Sequence, residues 1–226
     1  GHDCPSQKGL HRPSDTLASK PLTVSSYAVN PSSKVVTSKG NQNFRLYIGG
    51  KLNASNVAAY TVKVPLWRGK KFVKSVYIKN TSSQSFALSP KSSKTNYGRF
   101  TFKPARVYIR YTNGKRVNYK VNVYKNFYMK GGISGNLNIA RTGNKHHFYF
   151  TTKYFSGTKQ KYVAYSPKNA RLQYKSGGTW KNYGGKLKIK NGKWSSYKNI
   201  SGRHTWRISV PTGSQIVGGR TSAISI

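Results

Sequence analysis

Over 226 residues the chain carries 41 Lys and Arg against 2 Asp and Glu, a formal net charge of +39, where an ordinary soluble chain holds ~25% charged residues of both signs. Both acids, Asp3 and Asp15, lie near the N-terminus, and residues 16–226 contain none. That removes paired-carboxylate glycoside hydrolysis, Ser-His-Asp triads and carboxylate-held Mg²⁺ or Ca²⁺, so no catalytic residue, metal or cofactor is assigned and the chain is read as a non-enzyme.

Residues 1–20 lack apolar periodicity and hold both acids, Pro5 and Pro13, and read as an extended N-terminal arm. Gly1-His2-Asp3-Cys4 offers an amine, an imidazole and a thiol, but a plain tail is the heavier reading of those four residues. The single Cys4 excludes an intrachain disulfide framework. A first residue of Gly rather than Met reads as proteolytic processing, of an export signal or of an appended tag, and export is the expectation preferred.

Beyond the arm, hydrophobic residues at 35% and aromatics at 13%, including 17 Tyr, alternate with polar residues, so the chain can bury a core despite its charge. Period-2 runs punctuated by Gly, Asn, Ser and Pro predict strands at 44–48, 61–66, 72–78, 99–102, 106–111 and 117–124. A Gly-rich break follows at Gly131–Gly135. A second set is predicted at 147–152, 162–165, 170–174, 186–190, 194–197, 205–210 and 223–226. No stretch has helical periodicity, and no apolar run approaches the ~20 residues that span a bilayer. The fold class is all-β, with two tandem antiparallel sandwiches at 21–130 and 136–226 joined through the Gly-rich break.

Two hairpins can be placed in register. Asn191-Gly192 suits a two-residue primed turn, with Lys190 and Lys193 flanking it and Ile189 opposite Trp194. At Asn113-Gly114 a two-residue loop would mix faces, so a three-residue loop, Thr112-Asn113-Gly114, is expected. It pairs Ile109 with Val117 and Val107 with Tyr119, and puts Gly114 in a left-handed bulge position. Trp67–Phe72 and Tyr174–Trp180 share a strand, basic-Gly turn, aromatic, strand pattern that hints at duplication.

From Ala170-Arg-Leu-Gln-Tyr-Lys-Ser-Gly-Gly-Thr-Trp180 through Asn191-Gly192-Lys193-Trp194, Thr205–Pro211 and Gly219-Arg220-Thr221-Ser222, the chain resembles the immunoglobulin-like β-sandwich repeats of secreted Gram-positive, especially actinobacterial, surface proteins. The likeness covers the C-terminal part well and the first half loosely. It implies two Ig-like sandwiches and a bacterial cell-surface setting. The acids usual in such repeats are missing here, so no calcium or ligand site carries over.

His146 and His147, as strand neighbours, point to opposite faces and cannot readily share a metal. The positive signal is basic-aromatic alternation. Lys186, Lys188 and Lys190 share one side of their run opposite Leu187 and Ile189, with Lys193 and Tyr197 added by the hairpin. Arg106, Tyr108 and Arg110 do the same opposite Val107 and Ile109. Twenty-nine of the 41 cations are Lys, which favours diffuse attraction over bidentate readout. Like charges set together without acids invite a bound anion. The expectation is a secreted, non-catalytic module that binds an extracellular polyanion (a cell-wall polymer, an acidic glycan or DNA) through those eight residues. A structural subunit that self-associates into a surface layer or filament is the alternative.

Overall fold

The computed structural model describes residues 20–226; the expected arm, apart from Lys20, and the Gly1–Cys4 cluster lie outside the described residues. Among the described residues every helix or strand element is a strand, so the chain is all-β. It divides into two compact units that interleave in sequence. The first takes in residues 20–32 with Asn43–Phe86 and Phe100–Phe127. The second takes in Ser33–Gln42, Ala87–Arg99 and Tyr128–Ile226.

The first ten strands are β1 (Leu22–Asn30), β2 (Ser33–Val36), β3 (Gln42–Leu52), β4 (Val57–Arg68), β5 (Lys71–Lys79), β6 (Ser83–Leu88), β7 (Gly98–Phe102), β8 (Ala105–Tyr111), β9 (Arg116–Val121) and β10 (Lys125–Gly131). In the first unit a small sheet runs β1-β3-β6, and a larger one runs β10-β7-β4-β8-β9 with β5 alongside β4. Alternation decides which face each strand buries. In β8, Ala105, Val107 and Ile109 are buried while Arg106, Tyr108 and Arg110 are exposed. The core is built of rings that meet at offset or edge geometry: Phe44 lies 5.0 Å from Phe127, Phe86 5.3 Å from Phe102, and Phe100 5.3 Å from Phe127.

The second unit adds β11 (Ile133–Thr142), β12 (Lys145–Ser156), β13 (Lys161–Ala164), β14 (Arg171–Ser176), β15 (Thr179–Asn182), β16 (Lys193–Asn199), β17 (Thr205–Val210), β18 (Gly219–Arg220) and β19 (Ile224–Ser225). One sheet has β11, β13 and β16 all paired to β12; the other runs β15-β14-β17-β18 with β19 beside β17. Their shared core gathers Leu137, Phe148, Phe150, Leu172, Trp206 and Ile208. Pairing is mostly antiparallel, but β2 lies parallel to the end of β10, from Ser33 opposite Tyr128 to Val36 opposite Gly131.

The Gly131–Gly135 stretch is not an irregular break. Gly131 closes β10 and Ile133 opens β11, whose ladder to β12 runs unbroken from Ile133–Tyr154 to Thr142–Lys145. Glycine stands at 131 because a Cβ there would lie 2.5 Å from the Tyr97 ring. Close approach, not looseness, explains that residue. The run Lys186–Lys190 is likewise not a strand: it makes a single bridge at Lys190, while Leu187 donates its N–H to the Ala170 carbonyl at 2.9 Å. The turn at Asn191-Gly192 forms as expected, with positive φ at both residues (51° and 72°) and reciprocal Lys190–Lys193 backbone bonds of 3.0 and 2.9 Å. Beyond it, Trp194 pairs with Phe150 on β12 instead of with Ile189, because β16 takes the open edge of β12.

Burial has a pH consequence. Desolvation pushes the hydroxyls of Tyr27 and Tyr97 well above the ordinary phenol value. A group raised in this way favours the fold while protonated, so its contribution is whole below pH ~10 and drains as pH climbs toward the folded-state value. Each such phenol then costs up to about 1.4 kcal/mol per pH unit. The Tyr97 hydroxyl donates to the Phe155 carbonyl at 2.6 Å. Tyr97→Phe should therefore cost about 1 kcal/mol in urea unfolding at pH 8, and its deficit against the unsubstituted protein should shrink between pH 10 and 12. A deficit that stays constant across that range would contradict the burial argument.

Candidate functional site

The Thr112-Asn113-Gly114 loop fixes the geometry of the larger sheet in the first unit. Gly114 sits at φ 86° and donates to the Tyr111 carbonyl at 2.9 Å. The register is the expected one, Ile109 opposite Val117 and Val107 opposite Tyr119. Two further pairs follow from it: Arg110 faces Arg116, and Arg106 faces Lys120. On the other side of β8, β4 sets Lys63 opposite Arg106 and Thr61 opposite Tyr108. β5 then places Tyr77 opposite Lys63 and Lys79 opposite Thr61.

The outward face is thus a lattice of cations and rings. One row reads Lys120, Arg106, Lys63, Tyr77 and the next Asn118, Tyr108, Thr61, Lys79. Tyr77 and Tyr108 are 46% and 41% exposed, enough to offer ring surface to a ligand. The Lys63 and Lys79 ammonium groups lie 5.9 and 6.0 Å from the Tyr77 ring centre, within cation–π range. The Arg106 guanidinium donates to Asn118 Oδ1 at 2.7 Å, which orients its fork. At the Arg110–Arg116 end the face dips into a hollow of about 310 Å³ lined by both arginines, Tyr108, Asn118, Ala59 and Thr61.

Directly opposed like charges destabilise an antiparallel pair, and the described residues contain no Asp or Glu to offset them. At about 4 Å two unit charges repel by ~1 kcal/mol even in water.

In the second unit the expected residues are less concentrated. Lys186, Lys188 and Lys190 are exposed on the irregular run, with Leu187 and Ile189 buried between them. The turn brings Lys190 and Lys193 opposite one another. Lys193 and Tyr197 point outward from β16, where Tyr197 is 61% exposed and stacks on His147 at 4.2 Å, with the Lys145 ammonium 4.8 Å from its ring centre. His146, on the opposite face of β12, is fully buried, with Nδ1 3.0 Å from the Asn144 carbonyl. Among the described residues no group of three or more His, Cys, Asp or Glu comes together to hold a metal, and no helix is long and apolar enough to cross a membrane.

Register, not composition, is what recruits Arg116, Lys120, Lys63, Lys79 and Tyr77 to Arg106, Tyr108 and Arg110. No protein-family model and no curated protein matches the chain. Among solved structures, one similar chain belongs to a 1.5-MDa bacterial ice-binding adhesin and concerns its host cell surface retention. The TM-score is 0.32 at 9% identity, covering 89% of this chain and 63% of that one. The chain thus spans less than two thirds of its length, and a likeness at this level carries no inference about role.

Proposed function

We propose that the chain is a non-catalytic, cationic extracellular module of bacterial cell-surface type that binds anionic polymers, its two units being Ig-like sandwiches. The observation that carries this reading is the β9-β8-β4-β5 face, where Lys120, Arg106, Lys63, Arg110, Arg116 and Lys79 stand side by side with no acid among them. Exposed Tyr77 and Tyr108 add ring surface for sugars or bases. Lys190, Lys193 and Tyr197 form a second contact region in the other unit. Wall polymer, acidic glycan and extracellular DNA share the chemistry this face would recognise.

Arg106, Arg110 and Arg116 replaced together by Gln test the proposal. Their side chains point away from the core, so the unfolding midpoint should hold or rise as repulsion is relieved. Affinity for a duplex oligonucleotide and for a sulfated glycan, measured by fluorescence anisotropy at 50 mM salt, should fall by about 10- to 100-fold or more. Unchanged affinity for both would overturn the assignment of this face. Growth of particle size with concentration in the absence of any polyanion would favour a structural subunit of a layer or filament instead.

A further inference from the structure

The second unit contains a concave cavity of about 460 Å³ lined by Lys39, Lys91, Lys159 and Lys161 together with Gly40, Asn41, Ser89 and Gln160. We propose that this cavity is a site for a tetrahedral oxyanion, a phosphate or sulfate ester, together with the sugar or polyol unit that bears it. Its volume falls within the roughly 300–1,000 Å³ of small-molecule sites, more than a lone ion needs.

The cavity is braced rather than fortuitous. Three segments far apart in sequence supply the lysines, and the Ser156–Gln160 turn ties them together. Gln160 is only 8% exposed. Its Oε1 accepts from the Gly40 N–H at 2.8 Å, its Nε2 donates to the Gly157 carbonyl at 2.7 Å, and its own N–H donates to the Ser156 carbonyl at 2.8 Å. That network holds Lys39 and Asn41 beside Lys159 and Lys161. Gly157 presses on the segment that carries Ser89 and Lys91, since a Cβ there would lie 2.7 Å from the Pro90 carbonyl oxygen. Asn96 Nδ2 donates to Thr158 Oγ1 at 3.2 Å across the same seam.

Gln160 adopts φ 54°, a left-handed conformation unusual outside glycine, and it sits between two of the four cations. Strain of that kind persists where the surroundings over-determine it, often at binding sites. A buried amide that consumes its hydrogen bonds on the frame leaves Lys39, Lys91, Lys159, Lys161, Ser89 and Asn41 as the polar residues of the lining. No acid is present among the described residues to neutralise them. Lysines act on phosphate as point charges, and several around one hollow select for charge density on a single group. The extended arginine face has a different preference, spreading its charge along a chain.

The test is a titration of the full chain with inorganic phosphate and, separately, inorganic sulfate at constant ionic strength in chloride, read from amide shifts of Gly40 and Gln160. Saturable shifts confined to the 39–41, 89–91 and 157–161 segments are expected. Lys39, Lys91, Lys159 and Lys161 replaced together by Gln should weaken binding about tenfold or more, with an unchanged unfolding midpoint. The Arg106, Arg110, Arg116→Gln protein should keep its affinity within about twofold, as none of the three lines the cavity. Tighter phosphate binding supports a phosphate-bearing polymer, and tighter sulfate binding supports a sulfated glycan. Shifts that never saturate, or an equal loss in the arginine variant, would overturn the proposal. Neither result would touch the polymer-binding role of the face.

Discussion

Trp206→Ala should lower the stability of the second unit by about 3–5 kcal/mol, a large share of the roughly 5–15 kcal/mol that a typical domain has to spare. Trp206 is 1% exposed, and its indole meets Phe148 at 5.0 Å, Tyr183 at 5.2 Å and Tyr174 at 6.0 Å. Removing it takes away the transfer free energy of the largest buried side chain and leaves a cavity between the β12 and β14-β17 layers, walled by rings that cannot collapse freely. Trp206→Phe should cost much less, because it keeps ring contact and deletes a buried Nε1–H that has no hydrogen-bond partner. Trp194, on β16 and only half-buried against the same core, should cost less than Trp206 when truncated to Ala. Urea unfolding followed by Trp fluorescence and far-UV dichroism would check the order. A loss at Trp206→Ala below about 1 kcal/mol would mean that these rings are not the core.

Alternation made most of the fold legible, and the odd loop at Asn113-Gly114 made one register legible to the residue. Val107, Ile109 and the pairing of β8 with β9 were written in the pattern because one face is wholly buried, so a slip by one residue would turn Val107 to solvent. Where alternation is diluted the sequence misleads. β11 reads Ile-Ser-Gly-Asn-Leu-Asn-Ile, rich in residues disfavoured in strands, and is a strand only because β12 offers it a complete ladder. The opposite failure is Lys186–Lys190, which alternates without flaw. Leu187 and Ile189 are buried as the pattern requires, yet the run caps the core without joining a sheet, because β16 has taken β12 as partner.

The candidate sites divide along the same line. Arg106, Tyr108 and Arg110 were visible as one stripe, but a stripe on a single strand is ordinary solvated surface. What makes a lattice of it is Arg116 opposite Arg110, Lys120 and Lys63 flanking Arg106, and Tyr77 beyond, all long-range pairings. The first two were implicit in the Ile109–Val117 register. The lysine cavity was not legible at all, since nothing local in Lys39, Lys91 or Lys159-Gln160-Lys161 announces that a buried glutamine will tie the Gly40 backbone to the Ser156–Gln160 turn.

Affinity for duplex DNA should fall about a thousandfold between 50 and 200 mM salt. The arithmetic rests on the β9-β8-β4-β5 face, whose six cations are Lys120, Arg106, Lys63, Arg110, Arg116 and Lys79. Each phosphate neutralised contributes ~0.9 to the slope of log affinity against log salt, so six contacts give a slope near −5 and about three decades over a fourfold change in salt. Because the lattice reads charge and ring surface and no base edges, oligonucleotides of scrambled sequence should bind within a few-fold of one another. Arg106, Arg110 and Arg116 replaced by Gln should flatten that slope by up to about three units; contacts at Lys190 and Lys193 would steepen it beyond the six, and replacing these two by Gln should remove up to about two units of that excess. Equilibrium anisotropy at five or six salt concentrations is sufficient to extract each slope. Tight binding that ignores salt would remove the electrostatic basis of the proposed function, and a slope left unchanged by both replacements would move the contact surface to other cations on the chain.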